Sequence, residues 1–223
     1  MFRFILDNTK ASSLANRFRR KRFQIFLRYL NSLEKPVHIF DIGGTQNYWY
    51  QMGLAEDMNY HITLLNKHHE SVKYRNMDFI HADACDLGKL DLSDYDIIHS
   101  NSLIEHLDSF ERQKYLADAV ISSGKPYFIQ TPNYWFPFEP HFLFPCFQFL
   151  PFAIRKFLVM NFNMGWYKKC NNEDEAIRLI SSVRLLKLSE LKTLFPQGFV
   201  ITERFLLLPK SFIVTHSKFS SGI

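Results

Sequence analysis

Five apolar runs of strand length recur along the chain, at 37–42 (VHIFDI), 60–65 (YHITLL), 78–82 (DFIHA), 95–100 (YDIIHS) and 126–131 (PYFIQT), each closed by polar or turn residues. Segments of helical length lie between them, such as 103–120 (LIEHLDSFERQKYLADAV), which reads as an amphipathic helix. Strands that are apolar along their whole length are buried on both faces, and strands alternating with helices join by crossovers. The alternation therefore predicts a parallel sheet with helices on both sides. Near the far end, GFVITERFLLLPKSFIVTHS holds two β-rich runs joined near Pro209 and Lys210. So short a connection makes the two strands antiparallel. The predicted fold class is α/β, a three-layer sandwich with a mostly parallel seven-stranded sheet and a C-terminal antiparallel hairpin.

A length of 223 residues suits one domain with a full core. Residues 1–35 read as a basic helical arm and 36–223 as the main domain. Nine basic and two acidic residues give the arm a net +7, so the remainder carries −2 of the formal +5. The basicity describes the arm and not the body. Within it, the apolar residues of 16–33 (NRFRRKRFQIFLRYLNSL) are spaced compatibly with one helical face. Two readings stay open: a cover helix with a solvated basic side, or attraction to anionic lipid or a phosphorylated acceptor. No RNA-binding module is recognisable, and no nucleic acid is expected.

Cys85, Cys146 and Cys170 are odd in number and widely spaced, which suits reduced thiols in a cytosolic protein. The first 13 residues lack the apolar core of a secretory signal, and no apolar window approaches the ~20 residues of a bilayer span. The expected location is cytoplasmic, or peripheral to the inner face of the membrane.

In such sheets ligands bind at the carboxyl ends of the strands, near the point where helices on opposite faces diverge. The first strand ends there in Asp41, Ile42, Gly43 and Gly44. Two glycines permit positive φ and remove Cβ atoms that would hold a ligand off the backbone; a plain tight turn is the alternative. A dinucleotide site would prefer G-x-G-x-x-G, whereas the run here is GGTQNY. An acid two residues before the first glycine suits a ligand with a cationic group.

FDIGGT, ITLLN, DFIHADACDL and YDIIHSNSLIEHL stand in the order and spacing of the class I S-adenosylmethionine-dependent methyltransferases, and the last block resembles the type 11 family. The resemblance runs from about residue 36 to 133. It implies a Rossmann-like fold, S-adenosyl-L-methionine as cofactor, and a small-molecule, saccharide or lipid-linked acceptor methylated at oxygen. It also implies cofactor-binding roles for Asp41, Gly43 and Gly44 at the methionine part, and for Asn66 at the ribose. Asp83 and Ala84 would meet the adenine, and Ser100 and Asn101 would lie beneath the sulfonium. Asn66 departs from the usual acid, which makes a catalytically inactive binding or scaffold protein the alternative. By the same resemblance His106 in NSLIEHL would lie close to the transferred methyl, where an imidazole suits a general base near neutral pH. Glu105 reads as a solvated helix residue, and KHHE at 67–70 as a polar helix start. No metal is expected.

Residues 134–167 hold 13 of the 36 aromatic residues, so the aromatic excess has one address. Pro137, Pro140, Pro145 and Pro151 prevent one long helix there, which predicts a lid of short helices and turns over 134–190. Glu139 and His141 follow the fifth strand, where they either orient or deprotonate an acceptor or staple the lid. The lid wraps an apolar acceptor, rests on a membrane interface together with 16–33, or is ordinary core.

Overall fold

The computed structural model describes residues 13–216. Helix α1 (Leu14–Leu30) precedes β1 (Val37–Ile42), α2 (Gln46–Met52), β2 (Tyr60–Asn66) and β3 (Met77–His81). Then come β4 (Ile97–Asn101), α3 (Phe110–Ser122), β5 (Tyr127–Pro132), and a short hairpin of β6 (Phe138–Glu139) and β7 (Phe144–Pro145). Helices α4 (Phe152–Asn161), α5 (Glu173–Ser181) and α6 (Leu188–Leu194) lead to β8 (Phe199–Phe205) and β9 (Leu208–Thr215).

The main sheet has the order β3-β2-β1-β4-β5-β9-β8, and β9 runs antiparallel to both of its neighbours. This is the predicted seven-stranded, mostly parallel α/β sandwich with a terminal hairpin. One face is covered by α1 and α2, whose Phe23, Phe26, Leu30 and Trp49 pack on Ile39, Ile62 and Phe128. The other carries α3 and α6, where Leu116, Val120, Leu191 and Leu194 pack on Phe40, Ile98 and Ile129. Each such apolar side chain contributes about 1.5–3 kcal/mol on full burial. The aromatic segment has its own core, in which Phe142, Phe147 and Val159 meet Ala176 and Ile180.

Helix α1 begins at Ser13, whose hydroxyl accepts from the Asn16 N–H at 3.0 Å. Arg17, Arg20, Lys21 and Arg28 face solvent, while Phe23, Phe26 and Leu30 face the sheet. Helix α1 is thus a cover helix with a solvated basic side and one exception at Arg22, while residues 1–12 of the predicted arm lie outside the described residues.

Three local expectations need correction. The span 103–120 is not one helix: a single 3₁₀ turn (Ile104–His106) is followed by α3, because Ser109 caps α3 by accepting from Arg112 N–H at 3.2 Å. Residues 67–70 form no helix but an irregular exit from β2, with the His68 N–H bonded to the Asn66 side chain at 3.1 Å. The last hairpin turns at Leu206 and Leu207, and Pro209 and Lys210 belong to β9. Pro209 stands beside a register shift between Glu203 and Arg204, where a missing N–H interrupts the ladder least.

Candidate functional site

The turn after β1 shows what its glycines accommodate. Gly43 has φ +76°, and a Cβ there would lie 2.6 Å from the Leu103 side chain. At Gly44 a Cβ would run into the Asp41 carboxylate itself. That carboxylate is buried and accepts from Trp49 Nε1 at 2.7 Å and from His99 Nδ1 at 2.8 Å. With its proton on Nδ1, His99 presents Nε2 to the Tyr48 hydroxyl at 3.4 Å. The Asp41 side chain therefore points into the protein behind the glycine turn.

The other sequence-predicted cofactor residues line the same edge of the sheet, each with a protein partner. Asn66 donates to the Gly44 carbonyl at 3.3 Å and accepts from His68 N–H. Asp83 caps the turn after β3 through Cys85 N–H at 2.9 Å and bridges to Arg112 at 3.0 Å. The Cys85 N–H, opposed by partial burial and helped by Arg112, holds its carboxyl below the usual carboxylate range. Ala84 is buried beside it. Ser100 donates its hydroxyl to the Ile42 carbonyl at 2.9 Å, and the Asn101 side-chain oxygen accepts from Arg22. The backbone leaves β4 through Ser102 at φ +59°, a strained value for a residue with a Cβ.

On the α3 side, the structure brings Glu105, His106, Glu139 and His141 together. The His106 and His141 rings meet edge to face with centroids 4.8 Å apart. Glu139, buried on the short hairpin, accepts from His141 Nδ1 at 2.6 Å and from the backbone N–H groups of His141 and Phe142. Burial works against a charged His141, but the Glu139 hydrogen bond and the charges of Glu139 and Glu105 outweigh it and raise its pKa. Partial desolvation, with His141 and Lys67 nearby, lowers that of His106, whose ring edge still reaches the surface. Gly165, at φ +54°, packs against the His141 and Phe142 backbone where a Cβ would collide.

Glu105 corrects the sequence reading most clearly. It is fully buried, because the chain forms a tight 3₁₀ turn against β5 rather than an exposed helix. Its Oε2 accepts from the Thr131 hydroxyl at 3.1 Å, and Oε1 has no partner. Burial raises its pKa.

On the α1 side, sequence reasoning missed Arg22. It is 5% exposed and donates to Gln130 at 2.6 Å, to Asn101, and through Nε and Nη2 to Glu203 at 3.2 and 2.8 Å. The signal was present: Arg22 stands four and eight residues before the apolar Phe26 and Leu30, on the buried stripe of α1. Arg19 and Lys210 lie close by, and no carboxylate of the described residues is within ion-pair distance of either. Burial, Arg22 and Arg19 push Lys210 down to about 8, against the pull of Glu203.

A cavity of about 310 Å³ opens beside Glu139, lined among others by Tyr134, Gln148, Arg155, Arg184 and Lys187. Arg155 Nε and Gln148 Oε1 are buried there without partners. Lys187 lies over the rings of Tyr134 and Trp135.

No protein-family model and no curated protein matches the chain. Among solved structures it is similar to a SAM dependent methyltransferase from Archaeoglobus fulgidus, with 12% identity and a TM-score of 0.53 over 95% of this chain and 98% of that one. It is also similar to Burkholderia thailandensis 1,6-didemethyltoxoflavin-N1-methyltransferase, solved with 1,6-didemethyltoxoflavin and S-adenosylhomocysteine bound. That match has 10% identity and a TM-score of 0.51, covering 88% of this chain and 76% of the other. At such identities the likeness is one of fold.

Proposed function

We propose that this chain is an S-adenosylmethionine-dependent methyltransferase acting on oxygen in a small-molecule, saccharide or lipid-linked acceptor. The observation that carries the reading is the Glu139–His141 pair, held against His106 at the carboxyl edge of the sheet and beside a polar cavity. The fold neighbours named above support methyl transfer from S-adenosylmethionine in general.

The residues fit the cofactor in donor chemistry. Asp83 uses two of about four acceptor sites and its side chain is 39% exposed, and Asn66 Oδ1 keeps one lone pair. Asn66 then meets the ribose, and Asp83 with the Ala84 N–H meets the adenine. Gly43, Gly44, Ser100 and Asn101 hold the methionine part with their backbone. Asp41 acts from behind, fixing the glycine turn through Trp49 and His99. The cofactor supplies an electrophilic methyl on a cationic sulfur, which leaves as a neutral thioether when the acceptor oxygen takes the methyl.

The chain's own residues position the acceptor and move its proton. Tyr134, Gln148, Arg155 and Lys187 suit a hydroxylated acceptor that carries negative charge. His141, oriented through Nδ1 by Glu139, takes the hydroxyl proton on Nε2, a role worth about 10²–10⁴-fold. Holding nucleophile and methyl in line supplies several kcal/mol more. Trp135, Phe149, Phe152, Ile154, Phe157 and Phe162 are exposed, which supports a lipid-linked acceptor met at a membrane surface. No helix among the described residues is long and apolar enough to cross a membrane.

A second reading, a scaffold that has lost catalysis, is favoured by Asn66 in place of an acid and by the inward turn of Asp41. Calorimetric titration with S-adenosylmethionine and S-adenosylhomocysteine, repeated on Asp83→Ala, tests the cofactor site, and cofactor binding with no turnover on any acceptor would favour the scaffold. Saturable binding weakened by the substitution is expected. Folded protein that takes up neither ligand sinks the methyltransferase reading.

A further inference from the structure

We propose that Glu105, His106 and His141 form a binding site for a divalent transition-metal cation of the zinc class. One ligand atom from each residue lies within 4.8 Å of the other two, a separation that small side-chain rotations close onto one ion. Two imidazole nitrogens and one carboxylate oxygen are a donor set of catalytic zinc sites, in which a fourth position stays open. Magnesium and calcium prefer all-oxygen shells, so this set selects against them.

Two independent features point to the ion. Glu105 Oε1 is wholly buried and has no hydrogen-bond partner, although Thr131 satisfies Oε2 of the same carboxylate. A buried acceptor of that kind is costly unless something fills it. His141 donates Nδ1–H to the Glu139 carboxylate, which fixes the tautomer and leaves Nε2 as the nitrogen that can bind an ion. Metal-bound histidines characteristically engage their second nitrogen with a carboxylate or a carbonyl, and His141 does so here through Glu139.

The inference deepens the proposed methyl transfer, on which its catalytic part rests. An acceptor hydroxyl bound at the open position would lose its proton to water near neutral pH, as zinc-bound water does. His141 would then act by holding the ion and not as an unassisted base. Metal binding itself requires neither cofactor nor acceptor, so the two readings fail separately.

The test starts with the full chain stripped by a chelator, dialysed, and titrated with Zn²⁺, with Co²⁺ as a visible-absorbing substitute. One ion per chain is expected, with a cobalt spectrum of low-symmetry four- or five-coordination. Glu139→Gln keeps all three ligands and should weaken zinc about 10–100-fold. His106→Ala, near the surface and tolerant of truncation, and His141→Ala should weaken it at least 100-fold while far-UV circular dichroism stays unchanged. His68→Ala with His69→Ala, on the exposed run after β2, should change nothing. Absence of zinc uptake by the folded chain overturns the site. So does zinc uptake that survives the His106 and His141 substitutions, or that is lost with His68 and His69.

Discussion

Replacing Arg22 by Met leaves the stem of the side chain and removes the guanidinium. In the native protein that group is 5% exposed and bonded to Glu203, Gln130 and Asn101, while the Glu203 side chain is 9% exposed. Without Arg22, a buried carboxylate keeps one side-chain hydrogen bond, from the Ser211 hydroxyl, and the nearby charge of Lys210. Leaving one member of a buried pair uncompensated costs about 3–5 kcal/mol, and the remaining serine bond places the expected loss near the lower end. Glu203→Gln leaves the cation behind and should cost about 2–3 kcal/mol by the same reasoning. The double variant removes both charges, so its loss should fall short of the sum by about 2 kcal/mol. Urea unfolding of the four proteins, read as midpoint shifts at unchanged slope, gives each value. Strict additivity, or an Arg22→Met loss below about 1 kcal/mol, would refute the claim that this pair clamps α1 to the terminal hairpin.

Glu203 titrates below the ordinary glutamate range, since Arg22 and Ser211 outweigh its burial, so its contribution is present above about pH 4.5 and lost as pH falls through the folded value. Acid unfolding of Glu203→Gln should therefore begin from a lower plateau and show a shallower limb. Lys210 has the opposite sign: its folded value of about 8 lies below the ordinary lysine value of 10.5, so the unfolded chain binds more protons between them and stability rises with pH across that window. Lys210→Met should gain about 2 kcal/mol at pH 7 and nothing near pH 11, measured by thermal or urea unfolding. Gly165→Ala should lose about 1–2 kcal/mol, because φ +54° and the His141 backbone both reject a Cβ, and a neutral result would put the lid turn elsewhere. Once an acceptor is known, His141→Ala should lower kcat about 10²-fold or more, and a change of only a few-fold would remove His141 from the chemistry.

The sheet was legible because its signal is physical and local. Runs such as VHIFDI and YHITLL are apolar because both sheet faces are covered, and β1 and β2 coincide with them to within a residue. Boundaries set by a single side chain were harder to see. Ser109 starts α3 and so turns Glu105 inward, yet a helical pattern over 103–120 counts Ser109 as one polar residue among many. His106 stood out after the fourth strand and His141 after the fifth, but their meeting depends on a lid whose path no periodicity encodes. Arg22 was hidden by its neighbours, since a charged residue among Arg17, Arg19, Arg20 and Lys21 reads as one more solvated cation. Asp41 was correctly placed at the glycine turn, whereas its direction is set by Trp49 and His99, eight and 58 residues away.

The clamp between Arg22 and Glu203 spans 181 residues of sequence. Ribosomes deliver the chain from its amino end at about 5–20 residues per second, so α1 emerges many seconds before the strand that neutralises its buried guanidinium. During that interval the arm is a cationic amphipathic segment with nothing to cover. Its apolar stripe, Phe23, Phe26 and Leu30, is then available to a chaperone or to an anionic bilayer. The hairpin joins the sheet through β9 against β5, so the seven-stranded order is complete only once β8 and β9 have been made.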